Sequence, residues 1–66
     1  MSFVELPNLA RLRIRAALSQ GELAEQAGLR RATINLIERR KTRARMSTVR
    51  KLARVLHVEP FELMGD

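Results

Sequence analysis

Residues 12–41 read LRIRAALSQGELAEQAGLRRATINLIERRK, and three signals within them decide the fold. The first is Ser19-Gln20-Gly21-Glu22, a capping box. The Ser19 hydroxyl can accept from the Glu22 N–H while the Glu22 carboxylate reaches back to the Ser19 N–H, so a helix starts here. The second is Gly28, which tolerates a positive φ and stops that helix. Between them Leu23, Ala24 and Ala27 make one apolar stripe. The third signal is the run Arg31 to Glu38, in which Ile34 and Ile37 face inward while Arg31, Ala32, Asn35 and Leu36 face elsewhere. Thr33, Ile34 and Ile37 are β-branched, so this helix is weak in isolation and depends on packing.

Outward from this centre the chain stays helical. A first helix is predicted from about Asn8 to Ala17, with Asn8 as its cap and Leu9, Leu12 and Ala16 on one face. The preceding Phe3-Val4-Glu5-Leu6-Pro7 has two open readings: a short N-terminal arm within residues 1–7, or an apolar strip used against another subunit. Residues 39–46 read as a basic loop. A fourth helix is expected from about Ser47 to His57 with Val49, Leu52, Ala53 and Leu56 as its stripe. A short last helix follows Glu59, with Pro60 at its first position, where a missing N–H costs nothing. Residues 1–66 are thus expected to form one all-α domain of five helices, without repeats or an internal linker.

The 66 residues contain no cysteine and a single histidine, His57, which excludes a disulfide scaffold and a Cys- or His-based metal centre. No nucleophile–base pair and no phosphate-binding glycine loop can be named, so neither an enzyme nor a cofactor is expected. No apolar run approaches the roughly 20 residues needed to span a bilayer, and no leader opens the chain, so the expected compartment is the cytoplasm. The net charge is +6, and it is not spread evenly. Residues 30–45 carry Arg30, Arg31, Arg39, Arg40, Lys41, Arg43 and Arg45 against Glu38 alone, while the segments on either side balance. A solvated face intersperses both signs, because one sign repels itself. A one-sign cluster on a small folded domain marks an anion-binding footprint, here nucleic acid. Membrane binding is disfavoured, since the window is split between helix and loop and carries no aromatic. RNA is disfavoured by the scarcity of stacking side chains.

Two short helices joined by a glycine turn, with a basic loop after the second, form a helix-turn-helix. The arrangement resembles the Cro/cI-type (XRE, lambda-repressor-like) family. The resemblance rests on Leu12-Arg13, Ser19-Gln20, Leu23-Ala24, Gly28-Leu29, Thr33-Ile34 and Ile37-Glu38, and then on Leu52-Ala53, Leu56, Val58 and Leu63. It implies that the third helix enters the major groove of DNA. It also implies that Arg31, Ala32 and Leu36 meet base edges, with Asn35 close by. Gln20 would touch a phosphate at the start of the second helix. Arg40, Lys41 and Arg43 would grip phosphates from the loop, with Arg30, Thr33, Arg39 and Arg45 adding to that set. Arg13 and Glu38 match a pair that forms an internal salt bridge.

Plainer readings stand beside these. Arg31 is either a guanine reader or a solvated charge; Ala32 either meets a thymine methyl or is simply small. Asn35 reads adenine, or bonds a phosphate or water. Leu36 points away from the Ile34/Ile37 face, toward a thymine methyl or an unseen neighbour. Three residues depart from the family pattern. Arg30 stands where a Ser or Thr cap is usual, a loss of about 1 kcal/mol. Arg40 stands where Gly is common; if the backbone there is left-handed, the side chain costs about 1–2 kcal/mol. Ala44 stands where Pro is common, which leaves the shape of the 39–46 loop open.

The expected function is sequence-specific binding of double-stranded DNA by a transcriptional regulator, most simply a repressor acting as a homodimer by occupying a promoter. Val58, Phe61, Leu63 and Met64, with Phe3 and Val4, are the candidate dimer surface; the alternative is that they complete one subunit's core. The resemblance carries a second possibility, an antitoxin-type protein that binds a toxin partner and its own promoter. It also implies a bacterial or phage-type, nucleoid-associated setting.

Overall fold

The computed structural model describes residues 2–65. Five helices and one short strand pair follow in the order β1 (Phe3–Val4), α1 (Leu9–Arg15), α2 (Gln20–Ala27), α3 (Arg31–Glu38), β2 (Ala44–Arg45), α4 (Met46–Leu56) and α5 (Pro60–Met64). The stripes expected on α2, α3 and α4 are the buried ones: Leu23, Ala24 and Ala27; Ile34 and Ile37; Val49, Leu52, Ala53 and Leu56. They meet Leu9 and Leu12 of α1 and Leu63 of α5 in one core. None of the described helices is long and apolar enough to cross a membrane.

Several expectations are corrected. The Phe3–Pro7 segment is not a free arm. Phe3 pairs with Arg45 and Val4 with Ala44, antiparallel, within the same chain. This ladder carries Leu6 and Ala44 into the core at 2% and 3% exposure, so the basic loop contains a core residue and a strand. The first helix stops at Arg15, and Ala16 is exposed. Asn8 makes no side-chain cap. Its Nδ2 instead donates to the Glu62 carbonyl at 2.9 Å, and its backbone N–H donates to the Leu63 carbonyl at 3.3 Å, tying the start of α1 to α5. Leu63 is fully buried, so it belongs to the core and is closed to a second subunit.

Four helices end in the same way. After α1, α2, α3 and α4 a residue turns left-handed: Ala17 (φ 59°), Gly28 (69°), Arg40 (57°) and His57 (56°). Each of these turns makes a paired set of bonds; after α3, Arg40 N–H donates to the Ile37 carbonyl and Lys41 N–H to the Leu36 carbonyl. This is the Schellman arrangement, which satisfies the last carbonyls of a helix. Only one of the four turns has glycine, the residue that adopts it without steric cost.

Candidate nucleic-acid interface

The candidate interface is built on α3, and the α2–α3 corner sets how α3 is presented. The capping box forms as read: Glu22 N–H donates to Ser19 Oγ at 3.0 Å, and Ser19 N–H donates to the Glu22 carboxylate at 2.8 Å. The backbone N–H of Ser19, with its hydroxyl alongside, holds the Glu22 carboxyl below its usual pKa. Gly28 makes the turn, and Ile34 and Ile37 lock α3 onto the core. Arg31, Ala32 and Leu36 are left exposed, with Asn35 half-buried beside them. Arg30 occupies the extended N-cap position and makes no side-chain cap.

Behind this face lies a continuous polar chain. Arg13 Nε donates to Glu38 Oε2 at 2.6 Å, and its Nη2 donates to Oε1 at 3.1 Å. The third guanidinium nitrogen, Nη1, donates to the Leu18 carbonyl at 2.8 Å. Arg13 thereby joins α1, the segment before α2 and the end of α3. The hydrogen bond to Glu38 raises the Arg13 pKa, against the opposing effect of burial. Glu38 also accepts from Gln20 Nε2 at 2.9 Å, and Gln20 Oε1 accepts from Asn35 Nδ2 at 3.4 Å. A carboxylate can only accept, so Glu38 fixes which way the Gln20 amide faces, and Gln20 in turn orients Asn35. Each amide nitrogen still has one N–H to spare. Gln20 can therefore donate to a phosphate, and Asn35 keeps the donor and acceptor that adenine recognition needs.

The structure divides the expected DNA residues between two hollows. Gln20, Arg31, Ala32 and Asn35 line the first, at the α2–α3 corner. Leu36, Thr33, Arg43 and Arg45 line the second, further along α3. Arg30, Arg39, Arg40 and Lys41 line neither and stand exposed around them. Among the described residues the one ion pair is Arg13–Glu38, and none of the seven cations between 30 and 45 has an ion-pair partner there. Phe3, expected at a subunit surface, is brought by the strand pairing into the second hollow. The residue types of Phe3-Val4-Glu5-Leu6 do not alternate, so the exposed, half-buried, exposed, buried pattern of a strand emerges only with the pairing.

The candidate dimer residues differ in exposure. Phe61 is 64% exposed and lines a groove with Arg11 and Arg15 of α1. Val58 and Met64 are half-buried against the core, as is Val4. Phe3 lies beside Leu36, not in the groove of Phe61.

This geometry has known counterparts. A model of the helix-turn-helix family matches residues 9–63. A hypothetical transcription factor of Neisseria meningitidis is 33% identical over 57 residues, covering 86% of this chain and 54% of that protein. The chain thus spans about half the length of the curated relative it matches. Among solved structures, the restriction-modification controller protein C.AhdI from Aeromonas hydrophila superimposes with a TM-score of 0.82 at 38% identity, covering 85% of each chain. SinR, a master regulator for biofilm formation solved in complex with DNA, superimposes with a TM-score of 0.83 at 29% identity, covering 88% of this chain and 94% of that one. Its DNA-binding domain has also been solved from Bacillus subtilis.

Proposed function

The chain belongs to the XRE-type helix-turn-helix family, and we propose on that ground that it is a sequence-specific, duplex-DNA-binding transcriptional regulator. It acts as a homodimer and represses by occupying a promoter. The observation that carries this reading is the outward face of α3. A rigidly mounted set of potential base readers (Arg31, Ala32, Asn35 and Leu36) stands among seven cations that have no ion-pair partner among the described residues. Cations without partners are free to release counterions from phosphates, which supplies affinity. Side chains on a helix narrow enough for the major groove supply sequence preference. Arg31 reads guanine, Asn35 adenine, and Gln20 and the loop cations hold phosphates. Two-fold symmetry places the two half-sites about one helical turn, roughly 34–36 Å, apart.

The test is fluorescence anisotropy with two labelled duplexes, one random and one from upstream of the protein's own gene, across a salt series. The label belongs on the DNA, since the protein has no Trp or Tyr. Tighter binding to the upstream fragment that persists as salt rises is the expected result. Equal and steeply salt-sensitive binding to both would reduce the reading to a non-specific cationic footprint at these sequences. On the preferred duplex, Arg31→Ala is expected to relax preference at one base pair and cost about 1–3 kcal/mol. Selection from a randomised library before and after the substitution measures this.

A further inference from the structure

We propose that the N-terminal strand is part of the DNA interface, with Phe3 and Leu36 together forming an apolar seat for a thymine methyl. The inference rests on the DNA-binding reading above and extends it to a segment outside the helix-turn-helix. Phe3 and Leu36 are two of the four large apolar side chains left exposed among the described residues, at 48% and 42%. They are thirty-odd residues apart in sequence, yet they line one hollow. The strand pairing puts them there, since Phe3 is in register with Arg45. The Arg45 guanidinium lies over the Phe3 ring at 5.7 Å, which braces the ring from one side. The rim is cationic and hydroxylic, with Arg43, Arg45 and Thr33.

That combination selects its occupant. An apolar floor inside a cationic rim suits a ligand that presents a small apolar group close to an anion. Duplex DNA does so in the major groove, where the thymine 5-methyl projects beside the phosphate backbone. The hollow is also continuous with α3, because Thr33 and Leu36 belong to that helix. A helix placed in the major groove therefore brings Phe3 to the same duplex.

The experiment starts from a duplex enriched by the wild-type protein from a randomised library. This duplex is prepared once with thymine and once with deoxyuridine in its place, a change that removes only the methyl groups. Wild type is expected to lose about fourfold in affinity on the deoxyuridine duplex for each methyl seated. Phe3→Ala is expected to bind the thymine duplex several-fold more weakly and to lose at least one such fourfold step. Phe3→Leu should keep most of it. Arg45→Ala should lower the salt slope while keeping the thymine preference. Melting curves by circular dichroism verify that each variant is folded at the assay temperature.

Full wild-type affinity and thymine preference in folded Phe3→Ala would overturn the proposal while leaving the DNA-binding reading intact. So would unchanged DNA binding accompanied by a change in oligomeric state, which would make the patch a subunit contact. Failure of the wild type to enrich any duplex would overturn both readings.

Discussion

Arg40 holds a left-handed conformation at φ 57°, where a side chain costs about 1–2 kcal/mol relative to glycine. Its N–H and that of Lys41 close the end of α3, so the strain is held in place by two hydrogen bonds. Ala17 and His57 hold the same conformation at the ends of α1 and α4. Ala17→Gly and His57→Gly are each expected to raise stability by about 1 kcal/mol and leave DNA affinity unchanged. In a domain of this size, that shifts the melting temperature by about 4–8 °C. Arg40→Gly should stabilise equally but reduce the salt slope of DNA binding by about one unit, because it also removes a cation. Arg40 therefore trades folded-state strain for charge. Glu38 is the opposite case, a side chain 7% exposed whose bonds are all made. Glu38→Ala would leave the Arg13 guanidinium, 14% exposed, without its counter-charge. Breaking a buried pair in this way costs about 3–5 kcal/mol, close to the whole stability of many small domains. Urea titration of this variant should show a much lower midpoint or no folded baseline.

Among the elements, α2 and α3 start differently. α2 has a complete capping box, and α3 begins at Arg30 with no side-chain cap. Arg30→Ser is expected to add about 1 kcal/mol by capping α3, and to weaken binding to every duplex by removing a cation from the proposed interface. A melt and a salt titration on the same sample separate the two effects. The box on α2 is sensitive to pH. Glu22 is held below its usual pKa by Ser19, so its folded value lies under its unfolded value. Its stabilising contribution is fully present above the usual glutamate range and is lost as the pH falls through the lowered folded value. Melting temperatures of wild type and Glu22→Gln should accordingly differ at neutral pH and converge as acid is added. The element boundaries show what local reading can reach. The start of α2 comes from its capping box, and the stripes of α3 and α4 come from a 3.6-residue period; both involve residues within about one turn of one another. The early end of α1 has no such signal, because Ala17 carries no sign that it will turn left-handed.

For the molecule as a whole, the distinction between core and surface on α5 matters most. Phe61 and Leu63 look alike in sequence, but Phe61 is 64% exposed and Leu63 is fully buried. Leu63→Ala is expected to cost about 2–5 kcal/mol of folding stability. Phe61→Ser should leave the subunit's own fold largely unchanged, and it weakens the proposed homodimer if the groove shared with Arg11 and Arg15 is its interface. Sedimentation equilibrium reads the second effect. A melting temperature that rises with protein concentration in the wild type, and no longer does so in Phe61→Ser, would be the matching thermal signature.

The helical identity, the Ser19–Glu22 cap, the Gly28 turn, the inward Ile34 and Ile37 and the single cationic window were all legible in residues 12–45. Each depends on neighbours a few positions away, and a helix repeats that short-range geometry wherever it sits. The β1–β2 pairing, the burial of Leu6 and Ala44, the bond from Asn8 to Glu62 and the meeting of Phe3 with Leu36 were not legible. All of them join segments far apart in the chain. Their partners are set by how five helices pack, not by any pattern within one of them. Asn8 shows the difference most directly: its amide could serve the first turn of its own helix, but the packed chain brings the Glu62 carbonyl within 2.9 Å, and the amide bonds there.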